Sequence, residues 1–107
     1  MLIAMSHRAT VVREIESDNP HGPRPLRERR TVSPDDGFPC NLQERIVEVE
    51  TATGGFVVIT RARAAFHGAT DVKVNDRVTV DGRTYTVEAA PRQGGFRIAS
   101  MALSEGS

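Results

Sequence analysis

Val72-Lys73-Val74-Asn75-Asp76-Arg77-Val78-Thr79-Val80-Asp81-Gly82-Arg83-Thr84-Tyr85-Thr86-Val87-Glu88-Ala89-Ala90-Pro91 is the stretch that decides the fold. Asp81-Gly82 stands between two alternating runs rich in β-branched residues. Both central residues of a type I′ turn need positive φ, which Gly adopts freely and Asp adopts more readily than most residues. A two-residue loop fixes the register, so Val80 faces Arg83, Thr79 faces Thr84, Val78 faces Tyr85 and Arg77 faces Thr86. Val78, Val80, Tyr85 and Val87 then share an apolar face, and Arg77, Thr79, Thr84 and Thr86 share a polar one. A lone hairpin is marginally stable in water, so further strands must cover the apolar face.

Working outward, other strands come into view. Ala9-Thr10-Val11-Val12-Arg13-Glu14-Ile15 alternates at Ala9, Val11 and Ile15, with Arg13 interrupting the face; Val11, Val12 and Ile15 also fit helical spacing, but Val-Val and Thr favour a strand. Asn41 to Ile59 reads as a second hairpin, with Arg45 to Glu50 going out, Thr51 to Gly55 turning and Phe56 to Thr60 coming back. The returning arm is apolar at consecutive positions, the pattern of a central strand covered on both sides. Arg61 to Phe66 continues it, and His67 to Asp71 is a turn-rich connection. Pro91 to Gly95 turns again, Phe96 to Met101 forms a last strand, and residues 103–107 are expected to fray as a flexible tail. The whole reads as one all-β domain over residues 1–107, a small antiparallel β-barrel or sandwich of about six strands.

Ser17 to Pro39 differs in kind. It holds five of the six prolines and the run Arg24-Pro25-Leu26-Arg27-Glu28-Arg29-Arg30, in which four Arg and one Glu leave a local charge of +3. So many prolines argue against a regular ladder or a long helix, so one long Pro/Arg-rich loop is expected over residues 17–39. It is either a solvated excursion or an arm that orders against a neighbouring subunit or faces DNA.

At 107 residues the chain has length for one modest core. Fourteen basic and fourteen acidic side chains cancel, so no overall charge draws it to nucleic acid or membrane. Aromatic content of 5%, without Trp, is low and favours a chain packed against a partner. The single Cys40 excludes an internal disulfide. Met1 to Met5 is too short for a signal-peptide core, and no run approaches the roughly 20 apolar residues of a membrane span. A soluble protein of the cytoplasm is expected.

No constellation for catalysis stands out. His7, His21 and His67 lack ligand spacing, and one Cys completes no zinc pattern, so no metal or cofactor is implied. Cys40 reads as a small buried hydrophobe, and Asp35-Asp36 before Gly37 reads as turn chemistry. No nucleophile elbow, phosphate loop or Walker-type lysine occurs, so an enzyme is not expected. The candidate contact residues are basic. Arg24, Arg27, Arg29 and Arg30 lie in the long loop, and Arg61 and Arg63, two apart, share one strand face. They can meet phosphates, an acidic subunit or solvent; without interleaved aromatics they are poorly equipped to read bases.

Three pieces, in order, resemble a known family. His7-Arg8-Ala9-Thr10-Val11 opens the chain, Pro39-Cys40-Asn41-Leu42 follows the long loop, and Gly68-Ala69-Thr70-Asp71-Val72 runs into Asp76 to Val87 and closes on Pro91. Together they are similar to the small head-to-tail connectors of tailed bacteriophages, in particular the stopper (head-completion) proteins of actinobacteriophages. The resemblance implies a virion protein assembled in the host cytoplasm. Its copies would form a homo-oligomeric ring in the neck under the portal and adaptor, close the DNA channel after packaging and dock the tail through its terminator protein. Backbone contact of the arginines with packaged DNA would fit this reading, and no membrane partner is expected. Two readings stand beside it: a small SH3-like nucleic-acid-binding module using the six arginines, and a tail-completion or tail-terminator protein.

Overall fold

The computed structural model describes residues 5–105, all of whose regular structure is β. The Asp81-Gly82 turn sits at its centre, with φ of 51° and 80°, and the strands on either side pair in the expected register. Eight strands follow in order: β1 His7–Ser17, β2 Leu26–Thr31, β3 Phe38–Glu50, β4 Phe56–His67, β5 Arg77–Val80, β6 Arg83–Ala89, β7 Arg92–Gln93 and β8 Phe96–Glu105. Every pairing is antiparallel, and the sheet runs β2-β1-β3-β4-β8-β6-β5.

A further pairing, Val11 of β1 opposite Val78 of β5, joins the last strand of this path to its second. Six strands therefore close on themselves, β1-β3-β4-β8-β6-β5, while β2 hangs on β1 and β7 on β8. Closure leaves few bare edges and encloses one core. The inward positions are Ala9, Val11, Cys40, Ala62, Ala64, Phe66, Val78, Val80, Tyr85, Val87, Ala99 and Met101, with Val72 capping them. Alternation along each strand delivers these residues, as period-2 geometry requires. The outward Thr79 and Thr84 hydroxyls meet across the ladder at 2.9 Å.

Three expectations are corrected. The Pro-rich segment holds a ladder: Leu26–Thr31 pairs with Val12–Ser17. Pro20, Pro23 and Pro25 all precede β2 and Pro34 follows it, so the six-residue strand itself is proline-free and every N–H is available. The segment from 103 does not fray as a whole, since Leu103 pairs with Tyr85 and Glu105 with Thr84 in β8; Gly106 and Ser107 lie outside the described residues. The third correction is the apolar run of β4, which is not covered on both sides. The readings placed on Met1 to Ala4 also fall outside the described residues.

Gly37 shows how tightly the start of β3 is set. It has φ +80°, and a Cβ there would stand 2.9 Å from the Ala9 carbonyl oxygen. Only glycine fits both demands, and this brings the Asp35-Asp36 turn against β1.

Candidate assembly interface

On the N-terminal side of Arg61, β4 loses β8 as a neighbour, and beyond Cys40, β3 loses β1. Ile46–Glu50 and Phe56–Thr60 therefore pair only with each other, as a two-stranded ribbon with both outer edges bare. Its two faces follow from the register. One face carries Ile46, Glu48 opposite Val58, and Glu50 opposite Phe56; the other carries the cross-strand pairs Val47–Ile59 and Val49–Val57. Ile46 is 73% exposed, Phe56 68% and Val58 63%. Five of the seven large apolar side chains exposed among the described residues lie here: Ile46, Val49, Phe56, Val57 and Val58. Such a concentration on a small chain makes this ribbon a candidate interaction surface.

The base of this ribbon is held firmly. Glu44, one turn of the pleat from Ile46, accepts a hydrogen bond from the buried Tyr85 hydroxyl on one oxygen and from Arg83 Nη1 on the other. On the opposite face Arg61 pairs with Glu88 of β6. The tip is closed by Thr51, whose backbone N–H donates to the Gly55 carbonyl at 2.7 Å and whose hydroxyl accepts from the Gly55 N–H at 3.1 Å.

A second ribbon prolongs β1. Past Val12, β1 leaves β5 and pairs with β2 alone, up to Ser17 opposite Leu26. All six residues of β2 are exposed. The base is fixed by Arg13, the residue that interrupts the apolar alternation. Its Nε and Nη2 each donate to a carboxylate oxygen of Asp76 at 2.9 Å, and its Nη1 and Nη2 donate to Asp71 at 3.2 and 3.0 Å. Asp76 is 1% exposed and also accepts the Lys73 backbone N–H at 2.9 Å. These bidentate bonds raise the guanidinium pKa further above its already high ordinary value, through hydrogen bonds first to Asp76 and then to Asp71. The bond from Arg13 likewise holds the Asp71 carboxyl below its ordinary value.

The six candidate arginines fall on the two ribbons and are not gathered into one patch. Arg24, Arg27, Arg29 and Arg30 lie on or beside β2; Arg61 and Arg63 lie at the base of the other ribbon, on the face shared with Arg45 and Gln43. Two are already engaged. Arg27 lies 3.5 Å from Glu14 and 3.2 Å from Glu16, and Arg61 is held by Glu88. Arg13 and Glu44 were not among the sequence candidates. An arginine at an inward register position is a signal, but nothing in the local sequence names carboxylates some sixty residues away.

No family model matches the chain, and no curated protein matches it. Its fold is similar to that of protein xkdH of the phage-like element PBSX from Bacillus subtilis, with a TM-score of 0.64. The likeness covers 92% of this chain and 93% of that one, at 15% identity.

Proposed function

We propose that this chain is a structural protein of a tailed-phage particle, a head-to-tail connector of the stopper type. The observation that carries the reading is the fold, shared almost end to end with a protein of a phage-like element. Two features add support. The closed six-stranded body is a rigid unit, and the two ribbons are clamped at their bases and bare beyond them, as a subunit built to be covered by neighbours requires. In this reading copies form a ring in the virion neck beneath the portal and adaptor. The ring closes the DNA channel after packaging and presents a surface to the tail terminator. Fold by itself does not assign a task, so the test is genetic. Electron microscopy of a lysate from phage carrying a nonsense mutation in this gene should show tails lying apart from heads that have lost their DNA. Joined, full particles would sink the reading.

One observation favours contact with DNA as well: Arg24, Arg29 and Arg30 are exposed and, among the described residues, have no carboxylate partner of the kind that occupies Arg27. Three phosphate contacts give a slope of about −2.7 in log affinity against log salt for duplex DNA. A nucleic-acid-binding module shows such a slope as the free protein. A stopper, which meets DNA only as a ring, shows no measurable binding as a monomer.

A further inference from the structure

On the outer face of the closed body, the register sets like charges against each other. Arg45 of β3 stands directly opposite Arg61 of β4, and Arg63, on the same face of β4, stands between Gln43 of β3 and Ser100 of β8. Opposed residues of an antiparallel pair have Cβ atoms about 5 Å apart, and alternate residues of a strand lie about 7 Å apart. The guanidinium side chains of Arg45, Arg61 and Arg63 therefore issue from one small patch. Like charges placed directly opposite one another are destabilising.

The chain does not cancel this charge. Glu88 engages Arg61. Arg45 and Arg63 are exposed and, among the described residues, have no carboxylate partner. Glu44 borders the same cavity, but Tyr85 and Arg83 hold its carboxylate on the opposite face of β3. Three Arg and one Glu thus leave a local balance of +2 on a chain that is neutral as a whole. The patch is also concave. The arginines line a cavity of about 390 Å³ together with Gln43, Ser100 and Gln93, the last carried by β7 on the far side of β8. Among the described residues, these neutral side chains make no hydrogen bond within the chain, so their donors remain available to a ligand.

We infer that this cavity is a phosphate-binding site. A guanidinium presents paired N–H donors in a fixed fork that fits the oxygens of a phosphate. A phosphate dianion matches the balance of +2 and has oxygens enough for the forks and for the amides and hydroxyl around them. One carboxylate would leave half of the charge and most of the donors unanswered. Binding also relieves the repulsion between Arg45 and Arg61, so part of the affinity is stored in the register itself. The site needs a single copy of the chain and is independent of the neck reading.

The experiment is thermal unfolding of the full chain titrated with inorganic phosphate, against sodium chloride at matched ionic strength. Where phosphate reaches about four times its dissociation constant, the midpoint should have risen by about 4–8 °C. Phosphate also stabilises proteins by exclusion from their surface, so the deciding comparison is with Arg45→Gln combined with Arg63→Gln, which should lose the saturable part of the rise. In chloride alone this variant should unfold no earlier than the native protein, because a like-charge pair has gone. The phosphorus NMR line of the titrant supplies a reading that does not depend on stability: it should broaden with the native protein and stay sharp with the variant. An equal response to acetate overturns the choice of phosphate. An equal response from the double variant, or its early unfolding in chloride, overturns the site. Competition then identifies the source of the phosphate: displacement by a short DNA duplex assigns the site to a nucleic-acid backbone, and persistence in its presence assigns it to a small phosphate.

Discussion

At the scale of single residues, Arg13 decides more than its place in the sequence promised. It looks like a fault in an apolar alternation, and only the fold brings Asp71 and Asp76 to it, from 58 and 63 positions away. Arg13→Ala strands the buried Asp76 carboxylate and should destabilise the protein by about 3–5 kcal/mol in urea unfolding. Arg13→Lys should recover little of this, because an ammonium cannot fork onto two carboxylates. Asp71 adds a pH signature. Its folded pKa lies below its unfolded value, so its contribution is present above about pH 4 and is lost as the pH falls through the lower folded value. The stability gap between the native protein and Asp71→Asn, small because Asp71 is half exposed, should therefore close on acidification. Cys40 behaves in the opposite sense. Burial first, then the nearby Asp81 carboxylate, push its thiol up to about 11. The stabilising contribution of the neutral thiol is whole below about 9 and is lost as the pH rises through 11. A colourimetric thiol reagent at pH 8 should find it unreactive until the chain is unfolded. The sequence already placed Cys40 in the core, since a lone cysteine without partners has little else to be.

Among the elements, legibility follows how local the determining physics is. The β5–β6 hairpin was readable to the residue pair because a two-residue turn leaves one register. β2 was hidden by its neighbours: prolines on both sides of a short stretch made the whole segment look irregular, whereas the stretch between them is free to pair. The apolar run Phe56 to Ile59 was legible as a strand and misleading as a core strand. Consecutive apolar residues fit cover from the same subunit or from another, and the pattern alone does not distinguish them. That distinction can be measured. Phe56→Ser with Val58→Ser removes exposed apolar area, so unfolding free energy should move by no more than about 0.5 kcal/mol. Self-association of the same variant at millimolar concentration should fall at least tenfold. A large loss of stability instead would show these side chains to be packed within their own subunit.

For the molecule as a whole, the two projecting ribbons stand outside the closed body, so one of them can be removed without opening it. Deleting Arg24 to Arg30 takes away most of β2 but none of the six strands of the closed sheet. The far-ultraviolet circular dichroism should remain that of a β protein, while phage carrying the deletion should fail to join heads to tails. Infectious particles from that deletion would remove the ribbon from any role in joining. The closure itself was beyond reach of the sequence, since no local pattern says that β1 will meet β5. That pairing also bears on how the chain is made. Val11 waits for Val78, 67 positions later, and the β1–β2 and β3–β4 hairpins can form well before then. The growing chain therefore carries local hairpins with an open seam until β8 joins β4 to β6, and the closing pairings are long-range ones, of the slow, millisecond-to-second kind typical of non-local β topologies. During that interval the apolar ribbon is already exposed, so at high rates of synthesis the seam and the ribbon compete for the same neighbours.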